Sequence, residues 1–223
     1  IGGRFPASDA PAAMTCVRKL LAYERTAPLG EWRNRVMLIA DDNFQGSRPD
    51  AIGTGHVRQT TVLDAVMPRH IDRVYEYLHT YPTPPGSFTK PGCKEDIIVN
   101  INGTGVVMTN YVGHGSPFKL ADETVLTDSD ASSLVNGPQQ TLLVAASCDV
   151  GKFNGPSVQS LGERMVLNPN GGAVRVVSAT DEAFSGLNAI LNRDLYVALF
   201  ARDSTTRHYY RTVSEALLLG KRG

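Results

Sequence analysis

The chain has 223 residues, which is long enough to bury a full core as one α/β domain. Lys plus Arg and Asp plus Glu both number 22, so the composition indicates neither a nucleic-acid partner nor a membrane-surface patch. No apolar run reaches about 18 residues, so no transmembrane helix is predicted. Three cysteines are too few, and odd in number, for a disulfide framework. A Cys16–Cys93 pair that leaves Cys148 free is one open arrangement.

The first part of the sequence predicts a helix and a buried strand. The helix begins after N-cap candidates at residues 7–9 and ends near Arg25, because its apolar residues recur at helical spacing. Residues 35–40 form an apolar run typical of a buried strand. In a parallel sheet this strand delivers Asp41 and Asp42 to the carboxyl edge, where ligands and chemistry collect.

The segment after this strand, residues 41–55, contains Gly, Asp and Pro without periodicity and is expected to be a functional or mobile loop. Carboxylates at its start are also common as turn and cap residues. His56 is interpreted as a surface or helix-start histidine. The next predicted elements are a helix at 58–67, a strand at 71–77, a Pro-containing loop at 80–92 and a helix at 95–102.

Two later apolar runs each end in a reactive side chain. One leads from Gly105 to His114 and Gly115, and the other leads from Thr141 to Cys148. Both runs are short, contain β-branched residues and are bounded by Gly or polar residues, which is typical of buried strands. Because the carboxyl ends of parallel strands meet at one edge, His114 and Cys148 are expected to lie there together.

A Cys and a His at adjacent strand ends are the minimum for thiol catalysis, in which the imidazole takes the thiol proton. Gly113 and Gly115 permit tight turns, and the Gly115 N–H is a candidate oxyanion donor. Each reactive residue alone has an ordinary explanation: a lone Cys is usually an inert buried hydrophobe, and a His beside glycines is often a turn residue. Their joint placement at two strand ends favours catalysis.

The rest of the chain predicts crossover and flanking elements around these strands. Glu123, which follows the His114 turn, is interpreted as an exposed loop carboxylate, with orientation of His114 as the alternative. The remaining elements are a crossover helix near 127–136, a loop at 149–156, a helix at 157–167, a strand at 172–178 and helices at 187–201 and 209–219. The candidate substrate-binding residues in the loops are Ser116, Asp149, Ser178 and Thr180.

The order of these motifs resembles the gingipain family of cysteine peptidases, within the wider caspase-like group. The central resemblance is Asn110-Tyr-Val-Gly-His-Gly-Ser116 followed by Ala146-Ser-Cys-Asp149. It extends to segments on both sides, at 1–6, 23–25, 32–42, 160–163 and 168–173. Several of these are most similar to the surface-protein processing peptidases of the type IX secretion pathway.

The resemblance implies roles for individual residues. Cys148 matches the nucleophile and His114 the catalytic histidine. The family places an acidic residue near this histidine, in the loop after the strand at 35–40, and Asp42 is the nearest candidate. A second acidic residue of that loop recognises a basic substrate side chain in the family, and Asp50 is a candidate without a clean match. Arg or Lys specificity is therefore not carried over.

The predicted architecture is a three-layer α/β sandwich with a mostly parallel sheet, caspase-like, over residues 1–223. We expect a peptidase catalytic domain that lacks an N-terminal part and forms an acyl-enzyme. Cys148 attacks the scissile carbonyl, His114 protonates the leaving amine and then activates water, and the N–H groups of Gly115 and Cys148 stabilise the oxyanion. Two alternatives stay open: acyl transfer to an amine acceptor, and an inactive peptidase-like binding or scaffold domain.

Partners and cofactors follow from the same interpretation. The chemistry requires no metal, and a site built from His56, Cys93, His114 and Cys148 lacks zinc-motif spacing, so no metal ligands are predicted. The resemblance makes structural calcium an expectation, although no calcium motif is present. The expected partner is a protein or peptide substrate, with no nucleic acid and no membrane span. The chain is expected to belong to a longer polypeptide at an extracytoplasmic location: secreted, at the cell surface or periplasmic.

Overall fold

The structure, a computed structural model, describes residues 3–155, 159–202, 205, 209 and 212–222. Its described part contains seven α-helices and nine strands. The helices are α1 Ala10–Arg25, α2 Gly55–Val66, α3 Pro91–Asn102, α4 Asp128–Ser133, α5 Leu161–Leu167, α6 Ser185–Leu199 and α7 Val213–Gly220. The strands are β1 Arg35–Ala40, β2 Phe44–Gln45, β3 Arg48–Pro49, β4 Asp72–Tyr77, β5 Met108–Val112, β6 Lys119–Leu120, β7 Leu126–Thr127, β8 Thr141–Ala146 and β9 Ala173–Ser178.

Five of the described strands form one parallel sheet in the order β4-β1-β5-β8-β9. Parallel neighbours need crossover connections, and α2, α3, α4 and α5 lie in the segments between these strands. The predicted strands at 35–40, 71–77 and 172–178 appear in this sheet, as do strands within the two apolar runs that lead to His114 and Cys148, so these predictions are confirmed. The other described strands form two small antiparallel hairpins, β2–β3 and β6–β7.

Helices cover both faces of the sheet, so the predicted three-layer sandwich is confirmed. On one face, α3, α4 and α5 pack with Ile39 and Leu143 in a core that also contains Ile97 and Met165. On the other face, α2, α6 and α7 contribute to a second core. Its buried side chains are Val36, Leu38, Leu63, Met67, Met108, Val112, Leu142, Val144, Leu195, Tyr196, Ala198 and Ala216. Among the described residues, no helix combines the length and apolar character needed to span a bilayer.

Side-chain caps explain where several helices begin. The Asp9 carboxylate accepts the Ala12 N–H at 2.8 Å and starts α1 where the sequence predicts it. Thr127 begins α4 and Ser160 begins α5, each through a reciprocal capping box. The helix expected from residue 157 therefore starts later, and the cap candidate Ser157 lies outside the described residues.

Other predicted helix boundaries also differ from the structure, as do two loop predictions. Helix α3 begins at Pro91, four residues early, because proline suits the first helical position. Helix α4 ends at Ser133 because Leu134 takes an extended conformation, and Asn168 Nδ2 satisfies the Leu134 carbonyl at 2.8 Å. The loop at 41–55 contains the β2–β3 hairpin, and the β6–β7 hairpin precedes α4.

All three cysteines are free thiols, so the Cys16–Cys93 pair is not formed. Cys16 lies on α1 and Cys93 lies on α3, and both are buried. Cys148 is the partly exposed thiol of the three.

Replacement of Leu143 by alanine is expected to destabilise the fold by about 2–5 kcal/mol, because a fully buried side chain of β8 leaves a cavity. Urea unfolding measures the change. The matched control is Leu29→Ala, since Leu29 is 88% exposed and its truncation is expected to change stability by no more than about 0.5 kcal/mol. Equal losses in the two variants would contradict this assignment of the core.

Candidate active site

The strand register brings the His114 and Cys148 turns to one edge of the sheet. Val112 of β5 is paired with Ala146 of β8, and His114 and Cys148 each lie two residues beyond their member of this pair. Ala40, the last residue of β1, is also paired with Val112. The carboxyl ends of β1, β5 and β8 are therefore level, as expected for chemistry at this edge of a parallel sheet.

The two turns touch through Gly115. A Cβ atom at this position would lie 2.3 Å from Ser147 Oγ and 3.1 Å from the Cys148 carbonyl oxygen, so no larger residue fits without movement. Two backbone hydrogen bonds beside Gly115 join Ser116 N to Lys119 O and Ala121 N to His114 O. These bonds form an antiparallel bridge between Gly115 and Leu120, in which the Gly115 N–H takes no part. An oxyanion donor must be left unpaired in this way.

The buried Asp41 carboxylate holds the backbone of the His114 turn. It accepts the His114 N–H at 2.8 Å and the Asp42 N–H at 2.9 Å, and the Tyr111 hydroxyl lies 3.1 Å away. Burial raises the pKa of Asp41 to about 6, although the His114 and Asp42 N–H groups oppose the shift. Gly113 passes so close that an added Cβ would lie 2.4 Å from Asp41 Cβ.

The His114 imidazole contacts Asp50, not the predicted Asp42. Nε2 of His114 lies 2.9 Å from Asp50 Oδ2, which leaves Nδ1 as the nitrogen free to face a thiol. Burial alone would raise the pKa of Asp50, but the Ile52 N–H and His114 outweigh it and lower the pKa. The β2–β3 hairpin explains the difference, because it turns the chain back and joins Asp50 N to Asn43 O at 2.9 Å.

Asp42 is occupied elsewhere. Its Oδ1 accepts the Phe44 N–H at 2.8 Å, and its Oδ2 lies 3.6 Å from Lys90 Nζ. The assignment of Asp42 as the carboxylate next to His114 is therefore wrong at the level of contacts. Asp50, considered from the sequence for recognition of a basic side chain, takes the place beside the imidazole instead.

The Cys148 thiol faces the loop after β9. Its Sγ lies 3.4 Å from both the nitrogen and the carbonyl oxygen of Ala183. No hydrogen bond joins the thiol to the His114 imidazole, although both residues are in the described part of the chain. The structure thus places the two turns in contact and pairs the thiol with the Ala183 backbone.

The substrate-binding candidates occupy two places. Ser116 lies in the His114 turn, where its Oγ accepts the Phe118 N–H at 3.2 Å. Asp149 follows the thiol in the left-handed backbone region, with φ 58°, and pairs with Lys152 at 2.9 Å. Ser178 and Thr180 line a groove of about 830 Å³ beside β9. Neither His114 nor Cys148 lines this groove, so it borders the site without containing the thiol.

Two side chains of the site were missed or misplaced by the sequence interpretation. His56 starts α2, is 3% exposed, and its Nε2 lies 3.1 Å from Asp50 Oδ2, so it is not a surface residue. Glu123 is 2% exposed, so the expectation of an exposed loop carboxylate is wrong. The only sequence signal for His56 is its place directly after the acidic loop. Nothing local marks Glu123, because the β6–β7 turn buries it.

Two groups of side chains in the described chain have the spacing to hold a cation. One group is Asp41, Asp42 and Glu123, and the other is Asp41, His56 and His114. Within each group the candidate ligand atoms lie within 4.8 Å of one another.

Comparisons with known proteins agree with the fold. Lys-gingipain of Porphyromonas gingivalis is 26% identical over 184 residues, which are 82% of this chain and 10% of that protein. The crystal structure of the Arg-specific cysteine proteinase gingipain R superposes with a TM-score of 0.74 and 18% identity, over 98% of this chain and 48% of that one. The complex of Porphyromonas gingivalis RgpB pro- and mature domains gives a TM-score of 0.69 and 17% identity, over 90% and 45% of the two chains.

These solved structures share the fold, and the chain spans about half of their length. It spans about a tenth of the curated relative. The family model of peptidase family C25 matches residues 1–223, which is the whole chain. The expected gingipain resemblance is thereby confirmed at the level of the family. The chain belongs to peptidase family C25.

Proposed function

We propose that residues 1–223 form the catalytic domain of a cysteine endopeptidase, with Cys148 as nucleophile and His114 as general acid and base. The observation that carries this proposal is the packing of the His114–Gly115 turn against Ser147 and Cys148. Family membership supplies the reaction class. For the dyad to form, the thiol must leave the Ala183 backbone and reach His114 Nδ1.

The proposed reaction proceeds through an acyl-enzyme. His114 Nδ1 takes the thiol proton, and the Cys148 sulfur attacks the peptide carbonyl. The Gly115 N–H stabilises the oxyanion, with the Cys148 N–H as a second donor. His114 then protonates the leaving amine and activates water, which releases the acyl group. Asp50 contacts Nε2 and so orients the imidazole.

Substrate selection is proposed to lie in the loops at the strand ends. Ser178 and Thr180 border the groove beside β9, and Asp149 and Ser116 flank the thiol and the His114 turn. The relatives are named for Lys or Arg specificity. We assign neither to this chain, because Asp50, the acidic residue considered for that role, is engaged by His114.

The expected extracytoplasmic location, the longer polypeptide and the type IX secretion pathway remain proposals, supported by family membership. Protein or peptide substrates are the proposed partners. Transfer to an amine acceptor and an inactive scaffold are not favoured by the comparisons. Product mass after incubation with a nucleophilic amine separates hydrolysis from transfer.

The substitutions Cys148→Ala and His114→Ala are expected to lower cleavage of a fluorogenic peptide library by at least about 10²-fold, the usual size of general acid–base catalysis. Initial rates in the full-length protein measure the effect. Cys16→Ala is the matched thiol control, since Cys16 is buried in α1. Unchanged cleavage in either active-site variant would refute the proposed dyad.

Asp50→Asn is expected to lower kcat by about 10- to 100-fold, because a hydrogen bond to a charged group contributes about 1.5–3 kcal/mol. Steady-state kinetics on the best library peptide measure it. Asp42→Asn is the comparison, and it is expected to lower the thermal midpoint rather than kcat, since Asp42 contacts Lys90 and Phe44. A larger kcat loss in Asp42→Asn would restore Asp42 as the catalytic carboxylate.

We propose that a structural calcium ion, where one binds, is held by Asp41, Asp42 and Glu123. Carboxylate oxygens are the ligands that calcium prefers. Glu123 Oε2 is buried and has no hydrogen-bond partner among the described residues, so a cation would supply the contact that this oxygen lacks. With Lys90 beside Asp42, three ionised carboxylates leave two negative charges, which one divalent cation balances.

Calcium is expected to raise the thermal midpoint more at pH 8 than at pH 6. Burial raises the pKa of Glu123 to about 7 and the pKa of Asp41 to about 6, so both protons must leave before the cation binds. The affinity for calcium is therefore expected to be about 20-fold lower at pH 6 than at pH 8. Thermal unfolding with calcium chloride or with a chelator measures this. Glu123→Gln is expected to remove the calcium effect, whereas the exposed control Glu95→Gln retains it. An equal calcium shift in Glu123→Gln would refute the assignment.

A further inference from the structure

His56 lies behind the Asp50–His114 pair and has no part in the reaction proposed above. Its Nε2 is 3.1 Å from Asp50 Oδ2, the same oxygen that His114 Nε2 contacts at 2.9 Å. The two imidazole rings meet edge to face, with centroids 5.3 Å apart and an interplanar angle of 81°. One carboxylate oxygen thus joins two histidines from different elements, the start of α2 and the turn after β5.

The Asp50 carboxylate is fixed from three sides. Oδ1 accepts the Ile52 N–H at 3.0 Å, and Oδ2 contacts both imidazoles. A carboxylate oxygen has two lone pairs, so Oδ2 can accept one N–H from each ring. His56 is almost fully buried, whereas the His114 side chain is 29% exposed, so His56 anchors the carboxylate from the protein interior.

Burial and hydrogen bonding define the protonation state and the tautomer of the His56 ring. Its Nδ1 is buried and has no hydrogen-bond partner within the described part of the chain. A charged imidazole would carry a second N–H there, and a buried donor without an acceptor is costly. Burial, followed by the nearby His114, lowers the pKa of His56, against the opposing effect of Asp50 and Asp42. The ring is therefore neutral, with its proton on Nε2 and directed at Asp50.

We propose that His56 is a positioning residue for the reaction: its Nε2–H holds Asp50 at the angle that orients His114 Nδ1 towards the thiol. This inference rests on the proposed function, because His56 acts through His114 and touches no substrate. Packing holds His56 in place, since α2 packs on the sheet through the buried Leu63. The partly exposed His114 thereby receives a fixed acceptor from the core.

The test compares His56→Leu, which removes the donor, with His56→Gln, which keeps an N–H donor on a side chain of similar length. The readout is the second-order rate of Cys148 alkylation by iodoacetamide at pH 7, followed by mass spectrometry of the full-length protein. His56→Leu is expected to react about tenfold more slowly, and His56→Gln is expected to stay within about threefold of the wild type. Thermal midpoints are recorded for each variant, and His56→Met serves as a second apolar substitution if His56→Leu does not fold.

The decisive arm repeats His56→Leu in a His114→Ala background. If His56 acts through His114, the second substitution produces no further loss of rate, as a double-mutant cycle reports. An equal loss in both backgrounds, or a wild-type rate in His56→Leu, overturns the positioning role while the dyad stands. A wild-type rate in His114→Ala overturns the proposed function itself, so the two failures are distinguishable.

Discussion

The buried carboxylate of Asp41 joins the end of β1 to the turn that carries His114. Its oxygens accept the N–H groups of His114 and Asp42, and the Tyr111 hydroxyl reaches the same carboxylate and the His114 carbonyl. These groups come from two neighbouring strands, so one side chain sets the path of both strand ends. Gly113 is required at the crossing, because any Cβ there would collide with Asp41.

The positions of the remaining site residues depend on these hydrogen bonds of Asp41. Asp41 holds the His114 backbone, and the Gly115 turn packs against the turn of Ser147 and Cys148. The imidazole projects towards the β2–β3 hairpin. That hairpin returns Asp50 to the sheet edge, where the imidazole meets it. The backbone of His114 is thus held by Asp41 and its side chain by Asp50, and both carboxylates belong to the loop at 41–55.

The concentration of acidic groups at this edge has an energetic cost. Burial raises the pKa values of Asp41 and Glu123 to about 6 and about 7, which means that their charged forms are disfavoured there. Lys90, which donates to the Tyr81 carbonyl and lies beside Asp42, offsets part of this charge. Buried carboxylates with raised pKa values are common at reactive sites, although their burial costs stability.

The periodicity of apolar residues in the sequence determined the sheet and its flanking helices. The places of His114 and Cys148 directly after two predicted strands determined the sheet edge at which they lie. These features depend on local apolar patterns, which can be read from short segments of sequence without any information on distant contacts. The partners of those residues were decided by tertiary structure alone. The exchange of Asp42 for Asp50, the burial of His56 and Glu123, and the pairing of Cys148 with Ala183 each arise from loops that fold back over the edge. The sequence of a loop without periodicity does not predict where its side chains point. Only long-range packing could therefore decide these contacts.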